Sequence, residues 1–269
     1  MASYLTRLFS NALNQLLLLF GGVFVFAFLL SFVSGLIREG GERVMGRSYY
    51  YLVAPGVVCH ETGHALGCIL TGTKIVEIEP FRPQGNQLGR VTFRPHPPLS
   101  PLRALEFVAA TGPVWFGCLV IALLTKFLGW HATGRQEQIP SEVLLANGPM
   151  ESARYWFAVV KSALTRLRGI FHIWHWRNTL NVVYLYLVFC IVSEMTLSTA
   201  DLEIMWPGFL VICVAFLALN AISPVGGLVY RVVFHLRRFL FDLHSLICFV
   251  LLGDVMFLLL FFIPITLIF

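Results

Sequence analysis

The chain has 269 residues, 58% of them hydrophobic and only 12% charged, with a mean hydropathy of +0.79 and a formal net charge of +5. Soluble domains run nearer about 45–50% apolar and 25% charged, so this balance excludes a soluble globular class and predicts an integral membrane protein built from spanning helices of roughly 20 apolar residues. The positive charge suits the headgroups of a lipid bilayer, and the absence of any Lys/Arg-rich run or nucleic-acid motif excludes a nucleic-acid partner.

In chain order, the apolar runs predict an all-α polytopic protein, a single membrane domain over 1–269 with about six transmembrane helices: 13–37, 50–72, 105–129, 178–200, 205–224 and 240–268. The first run is too long for a signal-peptide core and has no small-residue cleavage site after it, so it reads as a retained anchor. A β-hairpin follows the second span, in "TKIVEIEPFRPQGNQLGRVTFRP" (73–95). There Val76 and Ile78 alternate with Glu77 and Glu79, and after a turn holding Gly85 and Asn86, Val91 and Phe93 alternate with Arg90, Thr92 and Arg94. Cross-strand Glu–Arg pairs are expected on its polar face. Ahead of the fourth span, "NGPMESARYWFAVVKSALTRLRG" (147–169) repeats Phe157, Val160, Leu164 and Leu167 at helical spacing, with Arg154, Lys161 and Arg168 elsewhere. This pattern predicts an amphipathic helix in the plane of the membrane interface. "HIWHW" (172–176) reads as an interfacial aromatic belt, with a second metal site as the alternative. The C-terminal transmembrane region, 205–268, ends in one long tilted helix or in two pieces broken near Gly253 and Asp254. The six cysteines all lie in apolar segments without a C-x-x-C pair and read as small buried hydrophobes. With six spans, six Lys/Arg fall on one side and thirteen on the other, which places both termini outside.

The second span carries the chemistry. In "CHETGH" (59–64), His60 and His64 are four residues apart, so on a helix they share a face and can aim two imidazoles at one ion. Glu61 borders that face and can reach a water on the ion without being a ligand. Zinc takes nitrogen and carboxylate ligands, keeps an open position for water in catalytic sites, and lowers the pKa of that water to about 7. Glu61 then acts as the base that takes the water's proton and hands it to a leaving amine. Three ionisable groups at spanning depth are costly singly, and one metal ion accounts for all three. A third ligand is needed. The remaining intramembrane acids are Glu106, Glu194, Asp201 and Asp254; Glu194 and Asp201, seven apart at the end of the fourth span, share a helical face, and spacing does not separate them. If Asp201 is the ligand, the fourth span must be shifted or unwound near Ser198. Asp254 stands alone, and three roles stay open for it: a partner behind a ligand, a helix-break ligand, or a subunit contact.

"HETGHALGCILTGTKIVEI" resembles the H-E-x-G-H segment of the site-2 protease family of intramembrane zinc metalloproteases. In that family the motif lies in a spanning helix, a β-hairpin follows, and a Gly-Pro occurs in the next span, as "AATGPVWFG" does here with Gly112 and Pro113. The resemblance covers about residues 50–202. It implies a zinc metalloendopeptidase, with one Zn2+ per chain on His60, His64 and Asp201, catalytic Glu61, and Glu194 as the rival third ligand. The family's later Asn-x-x-Pro-x-x-x-x-Asp-Gly pattern keeps only its aspartate, Asp201; Ser193 (to within one residue), Thr196 and Leu202 occupy the asparagine, proline and glycine places. The implied reaction is hydrolysis of peptide bonds in or near a transmembrane helix of a membrane-protein substrate. The hairpin edge at Val91 and Phe93 would hold the unwound substrate as an added strand. No segment is long enough for a separate regulatory domain, so a regulatory membrane partner is expected. The competing expectation, supported by the eroded second pattern, is a catalytically silent zinc-binding adaptor or scaffold. An ion path is disfavoured, because it would spread polar groups over several spans.

Overall fold

In the computed structural model, residues 2–83, 88–97, 100–127, 149–173, 179–259 and 263 are described. The hairpin turn at 84–87, and with it Gly85 and Asn86, and positions 174–176 of the His/Trp motif lie outside them.

The N-terminal apolar run forms α1 (Ala2–Leu16), a π-turn at Leu17–Gly21 and α2 (Gly22–Met45), so that Leu8–Met45 is one 38-residue apolar helix. At 1.5 Å per residue this is roughly 57 Å, well beyond a ~30 Å hydrocarbon core. A short helix, α3 (Ser48–Leu52), precedes α4 (Ala54–Thr71), which carries "CHETGH". Pro55 opens α4, where its missing N–H costs nothing. Gly72, at φ 69°, ends it in the left-handed conformation that glycine adopts without penalty.

The hairpin follows as expected. β1 (Ile75–Glu79) pairs antiparallel with β2 (Arg90–Phe93), with Ile78 opposite Val91 and Glu79 opposite Arg90 and an irregularity between Ile75 and Glu77. Arg90 Nη2 donates to Glu77 Oε2 at 2.7 Å, the anticipated cross-strand ion pair. Leu88, ahead of β2, is buried against Tyr49, Val53 and Val57, which seats the hairpin on α3 and α4.

α5 (Arg103–Ala110) and α6 (Gly112–Phe127) are two halves of an apolar stretch bent by 46° at Thr111. Then come α7 (Pro149–Ile173), α8 (Thr179–Ser193), α9 (Thr199–Ala221) and α10 (Ser223–Phe257). α10 runs unbroken through Gly253 and Asp254, so of the two expectations for the last run the single helix is the one formed. α7 lies along α10, burying Tyr155, Val159 and Ala163 while Phe157, Val160 and Leu164 stay exposed. The helix expected at 147–169 is therefore present, but it is anchored to the bundle by its small-residue face.

Six spans are not confirmed. Among the described residues, by length and composition, three helices can cross a membrane (Leu8–Met45, Thr199–Ala221 and Phe239–Phe257), or four if the bent pair 103–127 counts as one. α4 falls out because His60, Glu61 and His64 dilute its apolar character, and α8 because it has only 15 residues. Leu30 and Ile37 of α2, Ile121 of α6, Met205 of α9 and Ile247 of α10 form the centre of the bundle, in which α4 is held by α5, α6 and α8.

Candidate metal centre

Glycines decide how closely α4 is approached. Gly56, Gly63 and Gly67 lie on the face that also bears His60 and His64, as expected for positions three, four and seven apart. A Cβ at Gly63 would lie 2.7 Å from the carbonyl carbon of Gly112, and one at Gly67 would lie 2.7 Å from Ala109 Cα. A Cβ at Gly56 would collide with the carbonyl of Cys190. Close backbone approach through small residues is how helices associate in lipid, where burial of apolar surface gives no driving force. Here it also brings two backbone carbonyls, those of Ala109 and Glu194, against the histidine rings. The Gly112–Pro113 step thus serves both as the bend and as the close-packing point.

His64 Nδ1 sits 2.9 Å from Ala109 O, and His60 Nδ1 sits 2.6 Å from Glu194 O. A carbonyl only accepts, so each ring carries a proton on Nδ1, and in the neutral imidazole Nε2 is then the acceptor. The two Nε2 atoms face each other at 3.1 Å. Asp201 Oδ1 lies 3.1 Å from His64 Nε2, and Asp201 Oδ2 lies 4.0 Å from His60 Nε2. One ligand atom from each of the three residues can be chosen so that all fall within 4.8 Å of one another. Two imidazoles and a carboxylate converging this closely need a shared proton or a cation among them, and the carbonyls behind the rings give the orientation that metal-bound histidines adopt. His60, His64 and Asp201 can hold a metal ion.

Asp201 is not at the end of the fourth span. α8 stops at Ser193, residues 195–198 are not helical, and Asp201 stands in the first turn of α9. Ser198 is the N-cap. Its hydroxyl accepts from Asp201 N at 3.1 Å, while its own N–H and Oγ donate to Asp201 Oδ2 at 2.8 and 2.7 Å. This capping box holds one carboxylate oxygen and leaves Oδ1 toward His64. The unwinding near Ser198 that an Asp201 ligand demands is therefore present. The Ser198-Thr199-Ala200-Asp201 start signal is in the sequence, at what reads there as the end of the fourth span.

Glu194, the rival ligand, does not share a helical face with Asp201. Its carboxylate turns away to Arg38, whose Nη2 donates to Oε2 at 2.6 Å. Only its backbone carbonyl meets the histidines. Arg38 was not singled out by the sequence, where it read as a loop charge. Glu106 is also elsewhere, accepting from the backbone N–H of His96 at 2.5 Å. Asp254 is buried on α10, with Ser34 Oγ donating to it at 3.4 Å.

Glu61 is 8% exposed, within electrostatic reach of His64 and Asp201, and covered by the hairpin. The Val91 backbone lies within electrostatic reach of its carboxylate. A Cβ at Gly89 would lie 2.7 Å from Glu61 Cγ. Glu61 is thus met near Gly89 and Val91, while Phe93, at the far end of β2, opposes Ile75. Scans of the chain against protein-family models, curated proteins and solved structures find no match.

Proposed function

We propose that this chain is a membrane-embedded zinc metalloendopeptidase that cleaves a membrane-protein substrate in or near a transmembrane helix. The observation that supports it most is the convergence of two carbonyl-backed imidazole Nε2 atoms and one capped carboxylate beside a buried glutamate. Two nitrogens and one carboxylate oxygen are a donor set of catalytic zinc sites, and neighbouring ligand atoms around zinc lie about 3.3 Å apart for bonds of about 2.0–2.1 Å; His64 Nε2 stands 3.1 Å from both other donors, and His60 Nε2 stands 4.0 Å from Asp201 Oδ2. Zinc bound there would activate a water and polarise the scissile carbonyl. His60, His64 and Asp201 bind, the Ala109 and Glu194 carbonyls orient the rings, and Glu61 accepts the water's proton and returns it to the leaving amine nitrogen. A helical substrate hides its amides in its own hydrogen bonds, so it has to unwind, and the β2 edge over Glu61 offers backbone partners to the unwound segment.

A second reading is favoured by one observation, the hairpin pressed onto Glu61: a zinc-binding scaffold without turnover. One experiment separates the two. The protein is purified in micelles, its metal content measured, and cleavage followed on transmembrane-helix peptides reconstituted in liposomes. The expected result is about one zinc per chain, lost in the His60→Ala, His64→Ala double variant. Glu61→Gln should keep the zinc and lose cleavage by about 10²–10⁴-fold. Zinc retained in the double variant sinks the metal centre. Zinc binding with no cleavage of any peptide by the parent leaves the scaffold.

A further inference from the structure

α8 ends in an unusual way, and the end touches the metal centre. Its last turn closes with i→i−3 bonds, Glu194 N to Ile191 O at 3.3 Å and Met195 N to Val192 O at 3.1 Å. The next residues leave the helix, so the carbonyl of Glu194 is one of the orphan acceptors that every helix C-terminus presents. It is satisfied from another helix, by the Nδ1–H of His60. The same residue's side chain is tied to a third helix. Glu194 is 5% exposed and its carboxylate takes Arg38 of α2 through Oε2, while Oε1 has no hydrogen-bond partner among the described residues. Gly56 admits the Glu194 stem, since a Cβ there would stand 3.1 Å from Glu194 Cγ.

Glu194 is buried and Arg38 half-buried, and such an ion pair gives little net stability, because desolvation of the acid and screening of the guanidinium offset the attraction. Stability therefore does not explain why an acid with one unpartnered oxygen is kept at this depth. Geometry does. The chain on either side of Glu194 must change from helix to irregular backbone just where its carbonyl has to point at one imidazole. An ion pair to α2 fixes that turn.

We propose that Arg38 and Glu194 are positioning residues for the metal centre: the ion pair clamps the end of α8 so that the Glu194 carbonyl holds His60 with Nε2 aimed at the ion. The proposal rests on the metal-centre reading of His60, His64 and Asp201, and neither residue touches the ion.

The test uses Co2+ as the probe on the full-length, metal-free protein in micelles, reading affinity and the visible absorption of the bound ion. Arg38→Met and Glu194→Gln should each lower Co2+ affinity about tenfold or more, the range for groups that orient ligands from behind, and should change the absorption band, since His60 is then poorly aimed. The Arg38→Met, Glu194→Gln double variant should lose no more than the worse single one, because the pair acts as a unit. Arg38→Lys, which keeps the charge, should recover most of the affinity. Asp254→Asn alters a buried acid on α10 that does not meet His60, and should leave affinity and spectrum as in the parent. Parent-like affinity in both single variants overturns the proposal, as does an equal loss in Asp254→Asn, which would mark a general loosening of the bundle. A parent that binds no Co2+ overturns the metal centre itself and the clamp with it, a different failure from parent-like variants.

Discussion

Asp201 and Glu194 show how little residue type decides which acid faces the two histidines. Both are buried acids near the same two histidines, yet one presents a carboxylate oxygen to His64 and the other only a backbone carbonyl to His60. The difference lies in what holds each side chain. Ser198 fixes Asp201 from its own helix turn, and Arg38 pulls Glu194 away. Asp201→Ala should therefore cost far more metal affinity than Arg38→Met or Glu194→Gln, because it removes a ligand and not its aim. Competitive titration with a chelator measures this, and the reverse ranking would overturn the assignment. Glu61 is met from a third direction, by β2 and the Gly89 ahead of it. Proline at Val91 removes a backbone N–H from that strand. Cleavage should fall more than zinc content does in Val91→Pro, as read by a peptide assay beside metal analysis. Equal losses would reduce the hairpin to a structural cover.

At the scale of elements, α4 works because one face combines glycines with ligands. The glycines let α5, α6 and α8 come close enough for their backbone carbonyls to serve as hydrogen-bond acceptors for the rings. Gly56→Ala puts a methyl onto the Cys190 carbonyl, and backbone has little room to yield. It should destabilise the fold by about 1–3 kcal/mol, the range for overpacking, and weaken metal binding by moving the Glu194 carbonyl. A methyl added at Gly35 on α2 would meet nothing within 4 Å, so Gly35→Ala should be neutral or slightly stabilising. Thermal unfolding of the two variants side by side checks the contrast, and a neutral Gly56→Ala would show that α4 and α8 can slide apart freely.

Across the whole molecule, the outer faces stay apolar. Phe28 is 74% exposed, Val214 66% and Leu210 60%, along helices long enough to cross a bilayer. Exposed apolar surface on this scale needs a cover, and lipid provides it. Arginine at Val214 should raise the apparent insertion free energy of α9 by about 2.5–3.5 kcal/mol. A glycosylation-mapping insertion assay reads that shift. No change would show that α9 does not cross the membrane at that point.

The sequence by itself determined the membrane class, the helix bearing His60, Glu61 and His64, the hairpin with its Glu–Arg pair, and Asp201 among the candidate third ligands. These follow from local rules: apolar length, i and i+4 spacing, and strand alternation act between residues close in the chain. It did not determine the number of spans, because α4 and α8 are held by packing around polar groups and not by apolar length. Only the tertiary structure decided between Asp201 and Glu194, since the deciding partner, Arg38, is 156 residues from Glu194. It also decided that the chain unwinds before Ser198, where the capping box of Ser198 and Asp201 starts a new helix. The Ala109 and Glu194 carbonyls behind the rings had no signal in the sequence at all. Every residue carries a carbonyl, and only the close approach of three helices selects which two are used.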